Sequence, residues 1–145
     1  MGQPMKFDLI DHVIEQTDDR IIAVKTVTLA EEYLQDHFPT YPVLPGVLMI
    51  ETLVQAARRL LTKATGNPRL VLGEVKALRY GQFVKPGEAL RVEVAYLGVD
   101  ADGHHRCKGI GHVIRAGEAT RSETAAVTGR FTLRPVLAGP KRTSG

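Results

Sequence analysis

Among 145 residues there is one cysteine, Cys107, and no tryptophan. A lone cysteine excludes an intramolecular disulfide and so favours a reducing compartment, the cytoplasm. Aromatic residues make up only 6% of the chain, and no cationic run is interleaved with them. The net charge of +3 therefore suits an acidic partner without marking a nucleic-acid footprint. No stretch approaches the roughly 18 uninterrupted apolar residues of a membrane span. The segment Met1 to Asp8 has no apolar signal-peptide core, and Lys6 stands where a myristoylation pattern needs Ser or Thr. No Cys/His spacing suits zinc. Gly109-Ile110-Gly111 leads into no helix, so it is not a phosphate loop, and neither Ser122 nor Ser144 sits in a nucleophile elbow.

What remains is ordinary for a globular protein, 43% hydrophobic and 24% charged. The length suits one domain, expected over 1–134, with a Pro/Gly-rich flexible tail at 135–145. Residues 7–14 read as a short helix or an edge strand. Arg20 to Leu29 is β-branched and nearly alternating, hence a strand, and 31–36 reads as one helical turn. A helix is expected from Gly46 through Leu61, with Gly66 as its C-terminal stop. It is apolar on nearly every side, so burial under a wrapping sheet is expected. Strands are expected at 69–84, 89–99, 105–115 and 122–133, the later ones forming an antiparallel meander through the Asp102-Gly103 and Ala116-Gly117 breaks. One long helix before a run of antiparallel strands is an α+β plan. Its open sheet edges make a homodimer joined edge to edge a natural expectation.

The chemistry concentrates between His37 and Leu61. Pro39, Pro42 and Pro45 stiffen the loop that leads from His37 into the helix. Glu51 is the one carboxylate of a mostly apolar helix, and Gln55, one turn on, is placed to orient it. A histidine and a lone carboxylate form a potential acid/base pair. Gly46 at the helix start offers an unpaired N–H and lets a ligand carbonyl approach closely. The plainer alternatives are that Glu51 pairs with Arg58 or Arg59 or faces water, and that His37 is a loop histidine satisfied by backbone. His104 and His105 fall at a hairpin and His112 on a strand. Cys107, on a strand, reads as a small buried hydrophobe.

The run His37-Phe38-Pro39, Pro42-Val43-Leu44-Pro45-Gly46-Val47-Leu48, Glu51 and Gln55-Ala56 closely resembles the 3-hydroxyacyl-[acyl-carrier-protein] dehydratase family. Leu9-Ile10-Asp11 and Val84-Lys85-Pro86-Gly87-Glu88 extend the resemblance along most of the chain. It implies a hot-dog fold, with a long central helix wrapped by an antiparallel sheet. The subunits would pair as a homodimer whose active site is shared between them, a trimer of dimers being common in the family. It implies His37 as the base at C2, Glu51 of the other subunit as the acid, and Gly46, with Val47 beside it, binding the thioester carbonyl. Tyr33, Phe38, Tyr80 and Phe83 would line the acyl tunnel. Arg79 and Lys85 would meet the acyl carrier protein, whose phosphopantetheine carries the substrate, and no metal or redox cofactor would be required. Relatives that also isomerise the double bond carry Asp where this chain has Glu51, so dehydration alone is expected. The alternatives are a hot-dog thioesterase or hydratase acting on CoA or another carrier, and a non-catalytic acyl-binding relative. Two departures stand out: Asp36 before the histidine, where the family has Gly, and Gly81-Gln82 where it has a basic pair.

Overall fold

The computed structural model describes residues 9–27, 44–115 and 124–136. Strands β1 (His12–Gln16) and β2 (Arg20–Thr26) precede helix α1 (Gly46–Thr65), and β3 (Leu70–Tyr80), β4 (Ala89–Val99), β5 (His105–Ile114) and β6 (Ala125–Pro135) follow it. All six strands form one antiparallel sheet in the order β1-β2-β4-β5-β6-β3.

Local chemistry sets the element ends. Thr17-Asp18-Asp19 turns β1 into β2, with the Thr17 N–H on the Arg20 carbonyl at 2.8 Å. Gly66 takes φ +76° and closes α1 by donating to the Thr62 carbonyl at 2.8 Å. The β4–β5 hairpin is fastened by Asp100, whose carboxylate accepts the N–H groups of Asp102 and His104 at 2.9 and 3.0 Å. Those bonds, the one from His104 above all, hold the Asp100 pKa below its ordinary value.

The edge strand β1 overlaps only the end of the 7–14 segment, for which an edge strand is one of the two expected readings, and β4, β5 and β6 form the expected meander. β3 does not join it: the strand lies at the opposite edge, paired to β6. It also ends sooner than 84, because the Gly81 N–H closes the ladder on the Ala126 carbonyl at 2.9 Å. Beyond it the Val84 carbonyl accepts the Leu44 N–H at 2.8 Å and ties the approach to α1 down.

The core lies between α1 and one face of the sheet. Leu53, Val54, Ala56, Ala57, Leu60 and Leu61 of the helix are buried against Val92, Val94, Val127, Phe131 and Leu133. β5 has glycines at the closest approach: a Cβ on Gly109 would stand 3.0 Å from Leu53 Cδ2, and one on Gly111 2.9 Å from both Leu90 and Val127. The helix is buried against the sheet as expected, with one side left open. Val47 and Arg59 are exposed and Glu51, Gln55 and Arg58 half-buried, so an open stripe runs down α1. The sheet covers only the helix surface packed against it.

Two bulges in β3 decide which side chains reach that core. Between Leu72 and Val75, and again between Lys76 and Arg79, β3 spends one residue more than β6 does. Each extra residue reverses the alternation. Without the second bulge, Tyr80 would share the outer face with Lys76. With it, Tyr80 turns towards α1 and Arg79 away from it. Ala77, inside that bulge, takes φ +55°. Among the described residues no helix is long and apolar enough to cross a membrane.

Candidate active site

The start of α1 is bare. Pro45 occupies the N-cap with extended backbone and no side-chain cap, and no acidic residue stands in the first turn. The N–H groups of Leu48 and Met49 fold back on the Pro45 carbonyl at 3.0 and 3.3 Å. Those of Gly46 and Val47 are left without a partner among the described residues, at the positive end of the helix dipole. The Tyr80 ring lies against Gly46: a Cβ there would stand 3.1 Å from Tyr80 Cζ and 3.2 Å from Cε1. Glycine at 46 thus permits a close approach of the ring, and partial desolvation raises the Tyr80 pKa.

Glu51 and Gln55 lie on the open stripe below Val47, one helical turn apart. Gln55 Nε2 donates to Glu51 Oε2 at 3.2 Å, and Gln55 Oε1 accepts the Leu9 N–H at 2.7 Å. Gln55 therefore bonds the carboxylate and is itself held by the N-terminal segment, whose Leu9 and Ile10 are buried. The alternative ion pair is not seen among the described residues: Arg58 Nε donates instead to the Leu70 carbonyl at 2.8 Å, binding the helix to the start of β3. No carboxylate–cation bridge involves Glu51 there.

Of the other expected residues, Phe83 follows β3 and is 60% exposed, while Tyr80 is 48% exposed. Arg79 points away from the helix, and Lys85 sits in the turn before β4, its N–H on Glu88 Oε1 at 2.9 Å. Tyr33, Asp36, His37 and Phe38 lie outside the described residues. The Gly81 departure has a structural cause, since a Cβ there would overlap the Ala125 carbonyl oxygen. Cys107 is fully buried and its thiol is pushed up to about 12, in keeping with a structural role. No His/Cys/Asp/Glu cluster able to hold a metal occurs among the described residues. Two features escaped the sequence reading. The Leu9 N–H carries no signal, because any residue but proline supplies it. The outward cations Arg106 and Lys108 on β5 and Arg130 on β6 were visible as period-two alternation.

The model of the ApeI-like family, described as ApeI dehydratase, matches residues 13–118. The chain belongs to the ApeI-like dehydratase family. Curated relatives include the 3-hydroxyacyl-[acyl-carrier-protein] dehydratase FabZ of Thermotoga petrophila, 44% identical over 92 residues, which are 63% of this chain and 66% of that one. The FabZ of Lactococcus lactis subsp. cremoris is 43% identical over 93 residues, 63% of this chain and 65% of that one. The chain thus spans just under two thirds of the length of these relatives, and they bear out the resemblance carried by the stretch from His37 to Gln55. The dehydratase heterocomplex ApeI:P from Xenorhabdus doucetiae contains a chain that superposes with a TM-score of 0.64 at 19% identity, covering 89% of this chain and 98% of that one. An acyl-CoA hydrolase from Agrobacterium tumefaciens has a TM-score of 0.64 at 16% identity, covering 84% of this chain and 44% of that one. Both likenesses establish the hot-dog fold for this ApeI-like family member.

Proposed function

We propose that this protein dehydrates 3-hydroxyacyl thioesters carried on acyl carrier protein to trans-2-enoyl thioesters, in fatty-acid-type biosynthesis. The observation that carries the reading is the Leu9–Gln55–Glu51 hydrogen-bonded chain. It holds a carboxylate with no cationic partner among the described residues on the open stripe of α1, below the bare helix start. FabZ names among the relatives support the substrate class.

In the proposed reaction His37 removes the C2 proton, and the N–H groups of Gly46 and Val47 hold the thioester oxygen as it gains enolate charge. Glu51 protonates the departing C3 hydroxyl. The C2–H and C3–O bonds break, a C2=C3 double bond forms, and water leaves. The elimination is redox-neutral, so its stoichiometry calls for no redox cofactor and the three protein groups suffice without a metal. Tyr80 and Phe83, with Tyr33 and Phe38, border the acyl chain. The phosphopantetheine arm of the carrier brings the thioester in.

We also infer a homodimer with a site built from both chains. Among the described residues β3 is an edge strand with one side unpaired. Leu72, Leu78 and Tyr80 on it, with Val47 nearby, are 36%, 37%, 48% and 67% exposed. A second copy against that edge would pair the backbone and cover the apolar surface. A cytoplasmic location fits the single thiol.

The test is to incubate the protein with 3-hydroxybutyryl carrier protein and follow enoyl absorbance, beside His37→Ala and Glu51→Gln. Wild type should turn over, and each variant should lose about 10²–10⁴-fold. Mixing the two inactive variants should restore part of the activity through hybrid dimers. Equal inertness of wild type and variants on every chain length refutes the dehydratase, and release of free thiol reassigns the protein as a thioesterase.

A further inference from the structure

We propose that Asp11 is a positioning residue for Glu51, acting through the N-terminal segment and the Gln55 amide. This rests on the dehydratase reading above and adds what sets the carboxyl group that the reaction uses as its acid.

The contacts start at the end of β2. Asp11 Oδ2 accepts both donors of Thr26, the N–H at 2.7 Å and the hydroxyl at 2.9 Å. Hydrogen bonds to an ionised carboxylate are the stronger kind. The Asp11 N–H donates to the Val24 carbonyl at 2.9 Å, so the side chain and backbone of one residue both fasten the segment to the sheet. The two residues before it, Ile10 and Leu9, are 5% and 0% exposed, and their packing fixes the segment as well. From that anchored position the Leu9 N–H reaches Gln55 Oε1 at 2.7 Å.

The Leu9 N–H decides which way the glutamine amide faces. A backbone N–H can only donate, whereas a glutamine side chain offers a donor and an acceptor that exchange places when the amide flips. With Oε1 committed to Leu9, Gln55 must turn Nε2 towards Glu51, and it meets Oε2 at 3.2 Å. Were Leu9 displaced, the flipped amide would become available, and it would set an acceptor against the Glu51 oxygen in place of a donor.

That choice carries into the chemistry. An oxygen that accepts an N–H is a poor place for a proton, so the proton that Glu51 delivers is held on Oε1. In the elimination the Oε1–H bond breaks, the departing C3 oxygen takes the proton and keeps the C–O bonding pair, and water leaves. His37 takes the C2 proton, and the carboxylate left at Glu51 already has an N–H on Oε2. A misplacement of about 1 Å at a reacting group can cost about 10²-fold in rate. Asp11 touches no reacting atom; it acts by holding the Leu9 N–H where the amide needs it.

Turnover of 3-hydroxybutyryl carrier protein separates positioning from scaffolding. Asp11→Ala should lower kcat and kcat/KM together by about tenfold with KM unchanged, the mark of an interaction felt only in the transition state. Asp100→Ala also removes a carboxylate that accepts two donors, at the β4–β5 hairpin, and should lower the melting point while leaving kcat alone. Asp11→Asn keeps an acceptor oxygen and should recover most of the rate. In a Gln55→Leu background Asp11→Ala should cost little more, because the amide it acts through is gone. If Asp11→Ala does not fold, Thr26→Val, which removes the hydroxyl donor alone, takes its place: it should lower kcat in the wild type and not in the Gln55→Leu protein. Unchanged kcat in the wild-type background, an equal loss in Asp100→Ala, or full additivity with Gln55→Leu overturns the proposal. The NMR signals of the Gln55 side-chain amide test the same contact without turnover. They should shift in Asp11→Ala and not in Asp100→Ala, and no shift in Asp11→Ala overturns the proposal. A wild type that turns over no thioester refutes the dehydratase reading instead, and the amide signals then decide by themselves whether Asp11 sets Gln55 against Glu51.

Discussion

Gly46→Ala adds one methyl group at the start of α1, and the structure sets its effect. The new Cβ would stand 3.1 Å from Tyr80 Cζ and 3.2 Å from Cε1. Unstrained carbon contacts lie at about 3.5–4.0 Å, so the ring or the helix start must yield by about 0.3–0.9 Å. Crowding of this kind costs about 1–3 kcal/mol. Tyr80 is 48% exposed and has room to swing, which places the cost near about 1 kcal/mol. In a domain of this size that lowers the melting midpoint by about 2–4 °C. If, as proposed, the Gly46 N–H binds the thioester oxygen, activity should fall further than stability, by about 10- to 100-fold in kcat, because that N–H moves with the helix start. The check is a double-mutant cycle on 3-hydroxyacyl thioester turnover. With the ring removed by Tyr80→Ala, adding Gly46→Ala should cost little more. Full additivity of the two losses, or a Gly46→Ala protein as active as wild type, would refute the claim that the contact positions the N–H.

The remaining predictions concern the scaffold. Leu53→Ala, at a fully buried position lying on Gly109, should cost about 2–5 kcal/mol in denaturant unfolding. The Asp100 carboxyl is held below its ordinary pKa in the folded chain. Its stabilising effect is complete above the ordinary value and is lost as pH falls through the folded value, so Asp100→Asn should flatten the acid side of the melting-point profile below about pH 4. Cys107, buried and with its thiol pushed up to about 12, should resist a thiol reagent at neutral pH in the native state and react fully in denaturant.

Much of this was legible along the chain because its signals are local. β4 runs over 89–99 as read, and β5 differs by one residue. The helix begins at Gly46 and ends before Gly66, because Pro45 and an αL glycine are short-range devices. Glu51 announced itself as a carboxylate in an apolar helix, and Gln55 as its partner by one-turn spacing. The stretch from His37 to Gln55 carried the family resemblance, and the curated relatives bear that out.

The sequence by itself determined the element types, the helix limits and the family. Only the tertiary structure decided where they meet. β3 could not be placed beside β6 from its own residues, since pairing between segments so far apart depends on every strand that competes for the same edge. The bulges that turn Tyr80 inward and Arg79 outward break strict alternation, and alternation is all that a strand pattern supplies. The same holds for Lys76, Arg130 and Lys108, which are far apart in sequence and form a row only because the sheet register sets them opposite one another.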